Sequence, residues 1–523
     1  MKRTFRHGGG RLADAVRAAY ADGQADYTME PLSRLEDGRP YGKVRDGDAV
    51  IFCCRRGERE IELTDAFTDP DFIGFPRTRM ERLDFTILTM YHDKYADRLP
   101  IAFAPARVDR PLAQVISDAG LTQLHTAESE KFAHVTFFFN GGYNAPFPGE
   151  TDIRIQSPQG VPFDQVPALK LPEVAQTVKD GIVKGYDFIV ANFANGDVIG
   201  HTSNCGAKIE AAHHVSVHLA DVVAAAKAAG YVIAVTADHG NLECMLTDAG
   251  KPHVAHTTNQ VPFLLIDPAV DQPVPCADGA LGDVAPTILH VLGLAQPARM
   301  DGQTLAAGHD FGAGRKLLLL ILDGWGFGRA DETNPIHLAD TAGWDALCAA
   351  YPPSRLDASG ASVGLQAGKA GNSEAGHSNL GAGRVVPQDD VRLDAAMRDG
   401  SFAANPVFLR AIEACRARGT ALHLICLLTK KSSHGSIDYP LALVKLAADL
   451  PQVYLHVIFD GRSTEPGSAP ALLEEFDQML EDLGSHAQIV DGIGRGIALD
   501  RDFNWAKVQK AYDLMTLGAG RTY

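Results

Sequence analysis

Three apolar runs in this chain each stop on a side chain that can ligate a divalent cation. Tyr231 to Val235 leads into Thr236-Ala237-Asp238-His239-Gly240. Phe188 to Ala191 leads into Asn195-Gly196-Asp197 and, four residues on, His201. Lys316 to Leu322 leads into Asp323-Gly324-Trp325-Gly326. In an open α/β sheet, ligands bind beyond the carboxyl ends of the strands. Carboxylates and imidazoles converging there suit a pair of divalent cations. The third run has the character of an opening strand, yet it follows residue 315.

The other strand-like runs are Ala49 to Cys54, Phe85 to Met90, Val135 to Phe139, Val261 to Ile266, Ala421 to Leu428 and Val453 to Phe459. They alternate with helical runs such as Lys208 to Ala229 and Ala469 to Leu483. That alternation implies βαβ units and mainly parallel sheets, an α/β protein. At 523 residues, two domains are expected. A formal charge of −17 argues against a nucleic-acid or anionic-membrane partner. The longest near-continuous apolar run, Leu317 to Leu322, is far too short to cross a bilayer. The first ten residues carry charge but no apolar segment, so they do not read as a secretory signal. The cysteines are scattered without a Cys-x-x-Cys pair, and Cys53, Cys54 and Cys426 fall in apolar runs. These features point to buried free thiols in a reducing cytoplasm.

Residues 305–315 are glycine-rich and lack periodicity. They lie between a helical segment, Val284 to Leu294, and the strand at 316. They read as a joint or tether, tolerant of cleavage.

Asp238, His239, Asp197, His201, His256 and Asp323 form a mixed carboxylate–imidazole set suited to Mn²⁺, and also to Zn²⁺ or Mg²⁺. His213, His214 and His218 fall within a helical run and read as helix-face residues. Gly371-Asn372-Ser373-Glu374-Ala375-Gly376-His377 follows a glycine-rich loop and opens a helix. A serine there is ordinarily an N-cap. Beside a cation its hydroxyl can become a nucleophile, and the helix start favours a phosphate attached to it.

Together these motifs resemble those of the cofactor-independent (2,3-bisphosphoglycerate-independent) phosphoglycerate mutases of the alkaline phosphatase superfamily. The resemblance rests on Leu322-Asp323-Gly324-Trp325-Gly326, Gly371 to Glu374, Asn195 to His201, Thr236 to Gly240 and Ala255-His256-Thr257-Thr258, and covers nearly the whole chain. It implies that Ser373 carries the phosphoryl group of 3- or 2-phosphoglycerate. It also implies that Asp323, Ser373, Asp238 and His239 hold one metal and Asp197, His201 and His256 the other. The ions would be Mn²⁺, with Zn²⁺, Co²⁺ or Mg²⁺ as alternatives, and no bisphosphoglycerate is needed. Lys131 would offset charge on the transferring group. A cytoplasmic monomer is expected.

The order of parts differs from the family. There the Asp323 motif opens the protein; here the halves are exchanged, as in a circular permutant joined at about 305–315. The phosphatase-like metal domain is then continuous over 106–387, and a substrate-binding transferase domain is assembled from 1–105 and 388–523. Arg56, Arg59, Arg462, Arg495 and Arg501 fall near strand ends of that second domain and suggest an anion pocket. The resemblance adds His434 to it. Two departures stand out. Thr429-Lys430-Lys431-Ser432-Ser433 replaces an acidic, glycine-rich turn, and Ser463 stands where the family has an aspartate thought to move the hydroxyl proton. Serine is a poor general base, and Glu465 or Asp438 could substitute. A metal-dependent phosphomonoesterase and a binding protein on a degenerate scaffold are the alternatives.

Overall fold

Every side chain of the Leu317–Leu322 strand is buried. An apolar run without polar alternation suits a strand covered on both faces inside a parallel sheet. The strand pairs in parallel with Val232–Thr236 on one side and Phe188–Phe193 on the other. Each of its aliphatic side chains contributes on the order of 1.5–3 kcal/mol by burial.

This computed structural model describes residues 6–55, 59–105, 107–247, 249–430, 432 and 434–523. The chain divides into two compact units, Ala106–Val391 and a second one made of Met1–Pro105 with Arg392–Tyr523. The first unit carries an eight-stranded sheet. Its order is Gly279–Ala280, Ser354–Asp357, Val261–Ile266, Val232–Thr236, Leu317–Leu322, Phe188–Phe193, Gln123–Glu128, Glu150–Ile155. The last five strands in that order are mutually parallel. Val261–Ile266 runs antiparallel to Val232–Thr236, so the residues leading into it lie at the carboxyl edge of its neighbours. Six adjacent strands therefore have connecting residues at one edge.

The second unit carries its own eight-stranded sheet. Gln488–Gly494, Val453–Phe459, Leu422–Leu428, Ala49–Phe52, Asp84–Thr89 and Ile101–Phe103 run parallel in that order. Leu32–Ser33 adds antiparallel to Gln488–Gly494, and Arg521–Thr522 adds beyond it. Residues near both ends of the chain thus meet in one sheet. Among the described residues, no helix is long and apolar enough to cross a membrane.

Two expectations are corrected. Residues 135–139 do not form a strand; His134–Phe138 is a π-helical turn. Val135 and Phe139 are fully buried while Thr136, Phe137 and Phe138 are half-buried. An i, i+4 pair marks one helical face, a signal hidden because Phe137, Phe138 and the β-branched Thr136 between them also suit a strand. Lys131 accordingly follows the Gln123–Glu128 strand and precedes a helical turn, not a strand. The second correction concerns the joint. Leu305, Ala306 and Phe311 are buried in the core of the first unit. Leu305 N–H donates to Thr287 Oγ1 at 2.9 Å, and its carbonyl accepts from Ala277 N–H at 2.9 Å. His309 Nε2 lies 3.0 Å from Asp267, which Arg315 also binds. The segment is a docked part of the domain, because its few apolar residues happen to reach the core. Phe311→Ala is expected to cost about 3–5 kcal/mol in denaturant unfolding; a loss under about 1 kcal/mol would mean a slack tether after all.

Candidate metal centre

The Leu317–Leu322 strand ends at Asp323, and Gly324 turns the chain with φ +74°. A Cβ at Gly324 would sit 2.7 Å from the Asp197 amide nitrogen. Only glycine lets these two ligand loops touch. On one side, Phe188–Phe193 leads into the short helix Asn195–Gly200, which places Asp197 and His201 one turn apart. On the other, Val232–Thr236 leads to Asp238 and His239. Beyond Phe188–Phe193, Gln123–Glu128 leads to Lys131. Ser373 is the first residue of the helix Ser373–Ala382, whose N-cap Asn372 accepts from the Ala375 N–H at 2.9 Å.

These side chains converge. Lys131 Nζ donates to Asp197 Oδ2 at 2.6 Å, Asp323 Oδ1 at 2.8 Å and Ser373 Oγ at 2.7 Å. Ser373 Oγ lies 3.0 Å from His239 Nε2 and 3.4 Å from Asp323 Oδ1. His239 Nδ1 faces the Gly240 carbonyl at 3.2 Å. That carbonyl can only accept, so Nε2 turns its lone pair toward the serine hydroxyl. Burial lowers the proton affinity of the Lys131 ammonium, but Asp323, Asp197 and Asp238 more than offset this and hold it above its ordinary pKa. Burial works against ionising Asp238 as well, yet His239, His377 and Lys131 hold its carboxyl far below the usual range. Asp323 is pushed up by burial and by neighbouring Asp238.

Asp197, His201 and His256 form a second group. Asp197 Oδ1 lies 3.2 Å from His201 Nε2 and 3.0 Å from His256 Nε2, and the two Nε2 atoms lie 3.0 Å apart. Each ring points its Nδ1 at a backbone carbonyl, Val254 at 2.9 Å and Gly371 at 2.8 Å. With both Nδ1–H groups so used, two imidazole lone pairs and a carboxylate face one point. With both rings neutral, such a donor set suits a divalent cation between its members. The pKa of His201 is raised by its bond to Asp197; that of His256 is lowered by burial but raised more by Asp197. Asp238 Oδ2, buried, lacks a hydrogen bond of good geometry among the described residues and faces His377 Nδ1 at 3.3 Å. The residues therefore fit divalent cations at both groups. Asp197–His201–His256, Asp197–His239–Asp323 and Asp238–Asp323–His377 each bring ligand atoms within 4.8 Å of one another.

His377 and Asn192 escaped the sequence reading. Asn192 Nδ2 lies 2.6 Å from Asp323 Oδ2 and 3.0 Å from His377 Nε2, while His377 Nδ1 meets the Ser373 carbonyl at 2.9 Å. The i+4 spacing of His377 from Ser373 was the available signal. Asn192 sits within a strand and left none.

In the second unit, the described residues expected of an anion pocket follow neighbouring parallel strands. Arg495 opens a short helix after Gln488–Gly494, is buried, and donates to Asp460 at 2.6 Å. Its Nε, also buried, has no partner among the described residues. Arg462 follows Val453–Phe459 and lies over the Tyr27 ring at 5.0 Å. His434 follows Leu422–Leu428, and its carbonyl accepts from Arg55 N–H at 2.9 Å. Arg59 donates to the Leu499 carbonyl at 3.1 Å. Arg501 is exposed, as are Ser463, Glu465 and Asp438, the last accepting from Ser436 Oγ at 3.0 Å. Arg56 lies outside the described residues. Buried Arg55, which donates to Tyr439 Oη at 2.6 Å, was missed; in sequence it was one arginine of an adjacent pair.

A sheet that gathers carboxylates, imidazoles, a lysine and a helix-start serine at the carboxyl edge of its parallel strands has the donor set of a metalloenzyme. The Metalloenzyme superfamily model matches residues 58–296. The model of the BPG-independent phosphoglycerate mutase N-terminus matches 3–93 and 393–523. The chain belongs to the BPG-independent phosphoglycerate mutase family, with its parts in permuted order. It is 43% identical over 293 residues to the 2,3-bisphosphoglycerate-independent phosphoglycerate mutase of Moorella thermoacetica, covering 56% of each chain. It is 42% identical over 304 residues to that of Thermosynechococcus vestitus, again 56% of each. A crystal structure of Leishmania mexicana phosphoglycerate mutase at low cobalt concentration is 28% identical, covers 52% of each chain and has a TM-score of 0.42. The chain spans about half the length of the curated relatives it matches.

Adding Mn²⁺ to chelator-treated protein is expected to raise the thermal midpoint, with about 2.7 kcal/mol of stabilisation at a hundredfold excess over Kd. An unchanged midpoint would show that these groups hold no cation.

Proposed function

We propose that this chain is a cofactor-independent phosphoglycerate mutase, interconverting 3-phosphoglycerate and 2-phosphoglycerate through phosphoserine at Ser373. The observation that carries this reading is the position of Ser373 Oγ. It stands at a helix start, 2.7 Å from the Lys131 ammonium and 3.0 Å from the lone pair of His239 Nε2. A hydroxyl that can pass its proton to an imidazole or carboxylate, under the field of a buried cation, is an activated nucleophile. The helix start favours the dianion it would carry.

In the first half-reaction the P–O bond to the substrate's 3-oxygen breaks as a bond to Ser373 Oγ forms, and the departing oxygen takes up a proton. In the second, the glycerate 2-hydroxyl loses its proton as its oxygen takes the phosphoryl group back. Lys131 offsets charge on the phosphoryl oxygens throughout. Two divalent ions, Mn²⁺ in the reading offered here, would be held by Asp197, His201 and His256 and by Asp238, His239, Asp323 and Ser373, and would supply Lewis-acid stabilisation of both transferring oxygens. Arg462, Arg495, Arg501, Arg59, Arg56 and His434 are the proposed grip on the glycerate carboxylate and phosphate. Retention of glycerate between the half-reactions is what separates a mutase from a phosphatase. The exposed Ser463 in place of an aspartate favours, as a second reading, release of phosphate to water.

Phosphorus NMR with 3-phosphoglycerate, Mn²⁺ and no bisphosphoglycerate tests both. Appearance of 2-phosphoglycerate supports the mutase; inorganic phosphate alone moves the assignment to phosphomonoesterase. Ser373→Ala is expected to lower turnover at least a thousandfold, on the order of losses seen when nucleophiles are removed, while stabilisation by metal persists. Retained turnover would remove Ser373 as the nucleophile.

A further inference from the structure

Glu243 is 1% exposed, lies in none of the ligand groups, and ties together the loops that carry them. Its Oε2 accepts from the Asn241 N–H at 2.8 Å and the Gly326 N–H at 3.0 Å. Its Oε1 accepts from Asn259 Nδ2 at 2.9 Å and from the Thr257 hydroxyl. One buried carboxylate thus joins three separate segments. The first runs on from Asp238-His239, the second from Asp323, and the third from His256. Asn241 extends the set to the fourth, because its Nδ2 donates to Asp197 Oδ1 at 2.9 Å. Backbone bonds run alongside: Leu242 N–H to the Gly324 carbonyl at 2.8 Å, and Thr257 N–H to the Gly240 carbonyl at 3.0 Å. The fit is close. A Cβ at Gly326 would come within 2.7 Å of the Glu243 carboxyl carbon.

Resting on the reading of this centre as a two-cation site, we propose that Glu243 is a positioning residue that sets the spacing of both ligand groups at once. Its side chain touches neither substrate nor cation. It acts by holding the 238–241, 323–326 and 256–259 segments at fixed separation. Asp323, His239 and His256 come from strands 317–322, 232–236 and 261–266, and hydrogen bonds between those strands end before the ligands are reached. Past the last strand pair, loop-to-loop bonds are what hold the ligand atoms in register. Outer partners that orient ligands characteristically change metal affinity 10–100-fold when removed.

Three variants separate the possibilities. Glu243→Ala removes all four acceptor bonds. Glu243→Gln keeps an oxygen for the two backbone N–H donors and turns its NH₂ toward Thr257 and Asn259, whose side chains can reverse and accept. Thr257→Val removes one donor and leaves the carboxylate. Mn²⁺ affinity is measured by calorimetric titration, and the rise in thermal midpoint on adding Mn²⁺ is measured alongside. For Glu243→Ala the expected result is a Mn²⁺ Kd raised 10–100-fold, a smaller metal-induced rise, and turnover recovered in large part by excess Mn²⁺. Glu243→Gln should stay within a few fold of wild type, and Thr257→Val should fall between. A merely structural role would lower the thermal midpoint equally with and without metal and leave the Mn²⁺ Kd unchanged, which overturns the proposal. If Glu243→Ala does not fold, Thr257→Val decides: a raised Kd supports the proposal and an unchanged one overturns it. Metal binding is read without turnover, so a wild-type protein that binds Mn²⁺ but makes no 2-phosphoglycerate defeats the mutase reading and leaves this one intact.

Discussion

Lys131 is the contact on which the centre depends. Three aspartates, Asp197, Asp238 and Asp323, are held together in a buried pocket, where like charges repel strongly and each is costly to desolvate. A single ammonium at 2.6 and 2.8 Å from two of them supplies the nearest compensation. One positive charge among three carboxylates leaves a deficit. The imidazoles of His239, His201 and His256 meet part of it through hydrogen bonding. Asp238 Oδ2, without a well-formed hydrogen bond, and the Nε2 atoms of His201 and His256, 3.0 Å apart, show where it is left over. The same arrangement that strains the protein alone is what gives it affinity for divalent cations. Lys131 is also the cation nearest Ser373, its Nζ 2.7 Å from the hydroxyl oxygen.

Sheet topology explains how four distant segments reach that pocket. The Leu317–Leu322 strand lies centrally, and its neighbours are parallel, so Asp197, Asp323 and Asp238 emerge side by side. His256 reaches the same edge by the opposite route, entering an antiparallel strand. This geometry is indifferent to the order in which the strands are threaded. A permuted chain can therefore rebuild the centre, provided the joined ends fit the surface. Residues 305–315, which bury Leu305, Ala306 and Phe311 and clamp Asp267 with His309 and Arg315, have that fit.

The two units differ in what they offer. The metal-binding unit is densely connected around its site, with Glu243, Asn241, Asn192 and His377 each bonded to a ligand or to its loop. In the other unit, the arginines and His434 follow adjacent parallel strands, and Arg495 is buried and ion-paired with Asp460. In the proposed function, an anion grip that must admit and release substrate needs exposed guanidinium forks, whereas a metal centre needs preorganised ligands.

Much of this was legible in the chain itself. Apolar runs ending on Asp, His or a glycine turn specify strands and the edge to which ligands go, because burial on both faces and positive φ leave few alternatives. Asp197 and His201, four apart, and Ser373 at a helix start were readable for the same local reason. Other features were not. The run at 135–139 lacked a period that could separate strand from helix, and packing of Val135 and Phe139 chose the π turn. Asn192 and Glu243 carry no local signature, since their partners lie as far away as Asp323 and Gly326. Sequence alone determined which residue types stand at which strand ends, since that information is short-range. Only tertiary structure decided which of them share a charge, which share a proton, and which buried carboxylate holds the loops in place, since those depend on distances between segments far apart in the chain.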